Sequence, residues 1–83
     1  MMNIFVSKLS YKTNNDSLVK AFEIYGTVMS ANIILDKVTG RSKGFGFVEM
    51  EKDEDAKQAI QKLHNSELDG NQIVVKQAEP RRM

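Results

Sequence analysis

Eighty-three residues make one small domain, with 41% hydrophobic and 28% charged residues: enough apolar material for a core and too much for a disordered chain. Cysteine is absent and His64 is the single histidine, which excludes a disulfide framework, a thiolate zinc site, a cysteine nucleophile and the usual histidine-based triads. Twelve basic against eleven acidic residues leave a net charge of +1, so no overall positive field draws the chain onto polyanions and any nucleic-acid role must rest on local placement.

Residues 3–9 read as a short strand, with Ile4 and Val6 on one face and Asn3, Phe5 and Ser7 on the other. A polar turn over 11–16 follows, in which Thr13, three before Asp16, suits a helix-opening capping box. Leu18, Val19, Ala21, Phe22 and Tyr25 then recur at helical spacing, and Gly26 is expected to stop that helix in a left-handed conformation. A second strand over 28–36 sets Ala31, Ile33 and Leu35 against Asn32, Ile34 and Asp36. The basic, Gly40-centred connection 37–42 leads to a third strand over 44–50, where Phe45, Phe47 and Glu49 share one face and Gly46, Val48 and Met50 the other. A second helix opens near Asp53, turns Ala56, Ala59, Ile60 and Leu63 inward and ends about Asn65. Asp69-Gly70 signals a tight turn, and 73–78 is the last strand. The domain is expected to fill residues 1–78 with nothing before it, leaving 79–83 as a short tail. Runs of aliphatic or aromatic residues reach only three, as in Ile33-Ile34-Leu35, so neither a membrane span nor a signal peptide is expected and the chain should stay in the cytoplasm.

Strand, helix, strand, strand, helix, strand is the split βαβ order of a ferredoxin-like α+β sandwich: a four-stranded antiparallel sheet with two helices on one face. The opposite face stays open, so the side chains that point there decide what the domain can do. The aliphatic set Ile4, Val6, Val48 and Met50 is the better core, with Gly46 letting a helix approach closely. A one-residue slip would bury Lys43 and Glu49 instead. Phe5, Phe45 and Phe47 therefore face water, where exposed aromatic rings need a partner to cover them. Flat rings beside cations suit unstacked nucleobases and phosphates, with stacking contributing roughly 1–3 kcal/mol per base.

At these residues the chain resembles the RNA recognition motif family. Lys43-Gly44-Phe45-Gly46-Phe47-Val48-Glu49-Met50 is similar to the family's octapeptide, departing only at the last position, and Ile4-Phe5-Val6-Ser7-Lys8-Leu9 to its hexapeptide. The resemblance extends from Asn3 to about Ala78 and is to small stand-alone bacterial members. It implies that Phe5 and Phe47 stack on successive bases, that Phe45 packs against sugar rings and that Lys43 meets a phosphate. It further implies sequence discrimination by the outer strands and the segment after the last one, here Asn32, Ile34, Lys76, Gln77, Arg81 and Arg82. Lys8 stands where the family usually has asparagine, exchanging a specific hydrogen bond for a positive charge. Arg41 lies in a loop that in relatives often folds over RNA. Met50 replaces an aromatic and is expected to fill core space. Tyr25 belongs to the family's helix-end Tyr-Gly pair and is structural, Tyr11 is expected to close the base of the first helix, and His64 to serve as a charge partner at a helix C-terminus.

The function expected from this pattern is a non-catalytic, monomeric module for single-stranded RNA, with partial cross-binding of single-stranded DNA and no cofactor or metal. Gly44-Phe45-Gly46 lacks the third glycine of a dinucleotide fingerprint and no phosphate loop occurs, so neither form of mononucleotide cradle is supported. An acyl-phosphate hydrolase on the same sandwich would need a phosphate-cradling turn after the first strand, which Ser10-Tyr11-Lys12-Thr13 does not offer. The competing reading is a protein-interaction module that docks a partner on the sheet or on the second helix, whose approach carries Glu49, Glu51, Asp53, Glu54 and Asp55.

Overall fold

Four segments with alternating apolar residues require a sheet covered on one side, and the computed structural model, which describes residues 2–78, forms one. In chain order the elements are β1 (Met2–Ser7), α1 (Asn15–Glu23), β2 (Val28–Leu35), β3 (Ser42–Met50), α2 (Asp53–Leu63), β4 (Glu67–Leu68), β5 (Asn71–Gln72) and β6 (Val74–Ala78). The main sheet has the order β2-β3-β1-β6, antiparallel throughout, so the two strands carrying the phenylalanines are central and adjacent. This is the ferredoxin-like sandwich. Beyond the elements legible in the sequence, β4 and β5 form a small hairpin around Asp69 and Gly70, whose φ angles of 52° and 86° are those of a tight I′-type turn.

The covered face holds the aliphatic set. Ile4, Val6, Val48, Met50 and Val75 are buried, packed with Leu18 and Phe22 of α1, Ala56 and Ala59 of α2, and Ile73 just before β6. The small alanines bring α2 close to the sheet, and each large side chain removed from water contributes about 1.5–3 kcal/mol. Met50 is fully enclosed, as its inward register requires.

Four local expectations change. Asn14, not Thr13, caps α1: its side-chain oxygen accepts from the Ser17 N–H at 2.8 Å, while buried Thr13 donates through Oγ1 to Asp69 Oδ2 at 2.7 Å. Gly26 is not left-handed; a Cβ there would overlap the Asp55 side chain, so close approach accounts for the glycine. Gly46 likewise admits a strand rather than a helix: a Cβ would meet the Asn32 carbonyl oxygen and Ile33 Cα of β2. His64 accepts the Val75 N–H at Nδ1 over 3.1 Å, so this side chain is tied to the last strand and not only to its own helix end. At the sheet's border, Asn15 Oδ1 accepts the Ile33 N–H at 2.9 Å and ties the start of α1 to edge strand β2.

Candidate nucleic-acid interface

On the open face the register builds one row across all four strands. Asn32 pairs with Phe47, Phe47 with Phe5, and Phe5 with Lys76. The Phe5 and Phe47 ring centroids lie 5.4 Å apart with a 52° tilt; Phe45, across from Ser7, lies 5.8 Å from Phe5 at 45°. Both separations fall within the range of favourable aromatic pairs, so the rings brace one another. Phe5 and Phe45 are half-buried while Phe47 stands 37% exposed, leaving ring surface that no helix covers. The predicted platform therefore exists as geometry.

Beside Phe45 the third strand departs from regular pairing. Between the pairs Ile33–Gly46 and Leu35–Ser42, β2 advances two residues and β3 four, with Gly44 at φ 85° taking up the excess. Its carbonyl accepts the Leu9 N–H at 2.8 Å, which fastens the loop between β1 and α1 to this end of the platform. Exposed Lys43 precedes that glycine, and Lys8, exposed at φ 60°, leaves the end of β1 alongside. Glu49 sits at the other end of the same face, paired with Asn3 and Ser30. A chain with almost no net charge thus has a face that runs from cationic to acidic.

Arg41 and Lys43 share a depression with Asp36 at the turn joining β2 and β3. Asp36 Oδ1 accepts from the N–H groups of Thr39 at 3.1 Å and Val38 at 2.8 Å; these two bonds, with a smaller contribution from Lys43, hold its carboxyl below the ordinary carboxylate value. The basic connection is therefore an ordered turn.

Of the residues assigned to recognition, Phe5, Phe45, Phe47, Asn32 and Lys76 lie together on the face, half-buried Ile34 has its parity on β2, and Lys8, Lys43 and Arg41 border one end. Gln77 does not join them. It pairs with Ile4 in the row that also holds Val48 and Ala31, so its parity is that of the helix-covered side. Arg81 and Arg82 lie outside the described residues. Tyr11 does not close the base of α1 either: it is 81% exposed on the loop between β1 and α1, a position that its polar neighbours did not betray.

An antiparallel sandwich whose central strands present three neighbouring rings on an uncovered face defines a class of sheet-surface binding domains. A model of the RNA recognition motif matches residues 4–74, and the chain belongs to that family. It is 46% identical over 78 residues to the glycine-rich RNA-binding protein blt801 of Hordeum vulgare, covering 94% of this chain and 48% of that one. It is 44% identical over 80 residues to the putative RNA-binding protein RbpE of Nostoc sp., covering 96% and 81%. The chain spans about half the length of most of the curated relatives it matches. Among solved structures, RNA Binding Protein PG1 superposes with a TM-score of 0.95 at 44% identity, covering both chains completely. The Sxl-Lethal protein/RNA complex superposes with a TM-score of 0.88 at 35% identity, over 93% of this chain and 47% of that one.

Proposed function

We propose that this chain is a non-catalytic module that holds about two to four nucleotides of single-stranded RNA against its open sheet face. Phe5 and Phe47 stack on successive bases, Phe45 packs against ribose, and Lys43, Lys8 and Lys76 attract the backbone. One observation carries this reading: Phe5 and Phe47 face each other across the two central strands with their rings uncovered. RNA-binding activity is supported by family membership and by the RNA-binding relatives. The polarity of the face supports entry of the backbone at the Lys8–Lys43 end, away from Glu49. Because stacking uses base faces rather than the 2′-hydroxyl, single-stranded DNA should compete in part.

The test is Phe5→Ala together with Phe47→Ala, titrated with RNA and followed by amide NMR. Two stacks at 1–3 kcal/mol each predict a loss of roughly 2–6 kcal/mol of binding free energy in a protein that stays folded. Unchanged affinity in the folded double variant rejects the mechanism. RNA should shift amides around the three phenylalanines; a ligand that shifts only residues 53–62 and ignores both substitutions would instead support protein docking through α2.

A further inference from the structure

Among the described strand residues of the open face, Glu49 is the one acid. The register places it beside the platform: it lies in the row Ser30–Glu49–Asn3–Ala78, next along the same face from the row Asn32–Phe47–Phe5–Lys76. Two positions along a strand put it about 7 Å from Phe47, a gap that a base lying over Phe47 spans with half its width and one hydrogen bond. Asn3 and Glu49 are half-buried and Ser30 is exposed. None of these three side chains makes a hydrogen bond or ion pair among the described residues.

A half-buried carboxylate without donors loses hydration, and beside bound RNA it also repels phosphate. Both costs fall away if what arrives at Glu49 is the edge of a base. Single-stranded bases that stack on aromatic rings keep their Watson–Crick edges free for side chains. Those edges are not equivalent toward a carboxylate. Guanine sets N1–H and its exocyclic amino group side by side, two donors for two oxygens. Adenine and cytosine place one amino group beside an acceptor nitrogen, and uracil holds its one ring N–H between two carbonyl oxygens. A complete fork of charge-assisted bonds therefore forms with guanine alone. Asn3 and Ser30, flanking Glu49 on the neighbouring strands, each bring a donor for the adjoining guanine O6.

We propose that Glu49, flanked by Asn3 and Ser30, is a specificity-determining residue that selects guanine at the nucleotide stacked on Phe47. The inference rests on reading the platform as an RNA site and names the base that site prefers at one position. It agrees with the polarity of the face: the backbone is drawn to the Lys8–Lys43 end, while a base edge rather than a phosphate meets the acid.

The probes are single-stranded RNAs of about six nucleotides, within the span such sites hold, either all uridine or with one central guanosine, inosine, adenosine or cytidine. The guanosine oligomer should bind about 5- to 150-fold tighter than the all-uridine one, the discrimination of one forked contact. Inosine keeps N1–H but lacks the amino group and should lose part of that gain, a comparison that leaves the protein untouched. Adenosine, with as wide a stacking surface, should gain less than guanosine. Glu49→Gln, shown to be folded by its amide spectrum, should abolish most of the advantage of guanosine over adenosine. Equal binding of the guanosine and adenosine oligomers would mean purine stacking without readout. A guanosine preference that persists in Glu49→Gln, or a Glu49→Gln variant that tightens every oligomer alike, would mean that the acid does not read the base. Any of these overturns the proposal, and the platform still stands if the Phe5/Phe47 double variant loses affinity. Unaltered affinity in that double variant overturns the platform, and the guanosine-to-inosine ratio then decides Glu49 separately.

Discussion

Ile4 and Phe5 are consecutive residues of one strand with opposite fates. Ile4 lies in the row Ala31–Val48–Ile4–Gln77, whose first three residues are buried on the helix side; Phe5 lies in the row Asn32–Phe47–Phe5–Lys76, which no helix covers. Both rows belong to one antiparallel ladder, so the difference resides in the side chains and in what covers them. Apolar burial on one face holds the sheet together. On the other, three aromatic rings stay uncovered, and their cost in water is moderated by the rings shielding one another.

If the two faces are separate in this sense, substitutions should separate stability from binding. Ile4→Ala should have the largest effect, lowering unfolding free energy by about 2–5 kcal/mol in urea titrations while leaving the RNA affinity of the folded fraction unchanged. A fall in that intrinsic affinity would show the faces to be coupled. Salt should distinguish them next: three or four phosphate contacts at a slope of about −0.7 each predict a roughly 20- to 50-fold loss of affinity between 50 and 200 mM salt, with little change in folding. A slope near zero would mean that the cations beside the platform do not meet phosphates.

Acid should produce the smallest response. The carboxyl of Asp36 is depressed in the folded protein, so its contribution to the β2–β3 turn is present above the ordinary value of 3.8 and is lost only as pH falls through the lower folded value. The amide resonances of Val38 and Thr39 should therefore move with a midpoint below 3.8; a midpoint at or above it would contradict the two hydrogen bonds to Oδ1.

Alternation made the central strands legible, because a period of two is written in the order of residues themselves. Phe45, Phe47, Val48 and Met50 could be sorted before any neighbour was known. The same rule separates Lys76 from Gln77, which the resemblance implies together as recognition candidates of an outer strand with no regard to face. What the order of residues did not carry was the identity of neighbours distant in sequence. Gly46 yields to β2, Gly26 to Asp55, and Thr13 finds Asp69 fifty-six positions away. Tyr11 belongs with these: its exposure depends on the Asp69 and Asn71 hairpin that fixes the loop beneath it. His64 was assigned by its place at a helix end, whereas its partner is an amide of the last strand.

Open sheets carry a hazard at their borders, where unpaired amides can recruit a strand from another molecule. In this chain the Ile33 amide is already occupied by Asn15, and β2 loses regular register on both sides of it, between Val28 and Ser30 and between Ile33 and Leu35. An incoming strand would have to evict a side chain and then follow an interrupted template. The asparagine at the start of a helix thus guards the β2 margin of the sheet against self-recruitment.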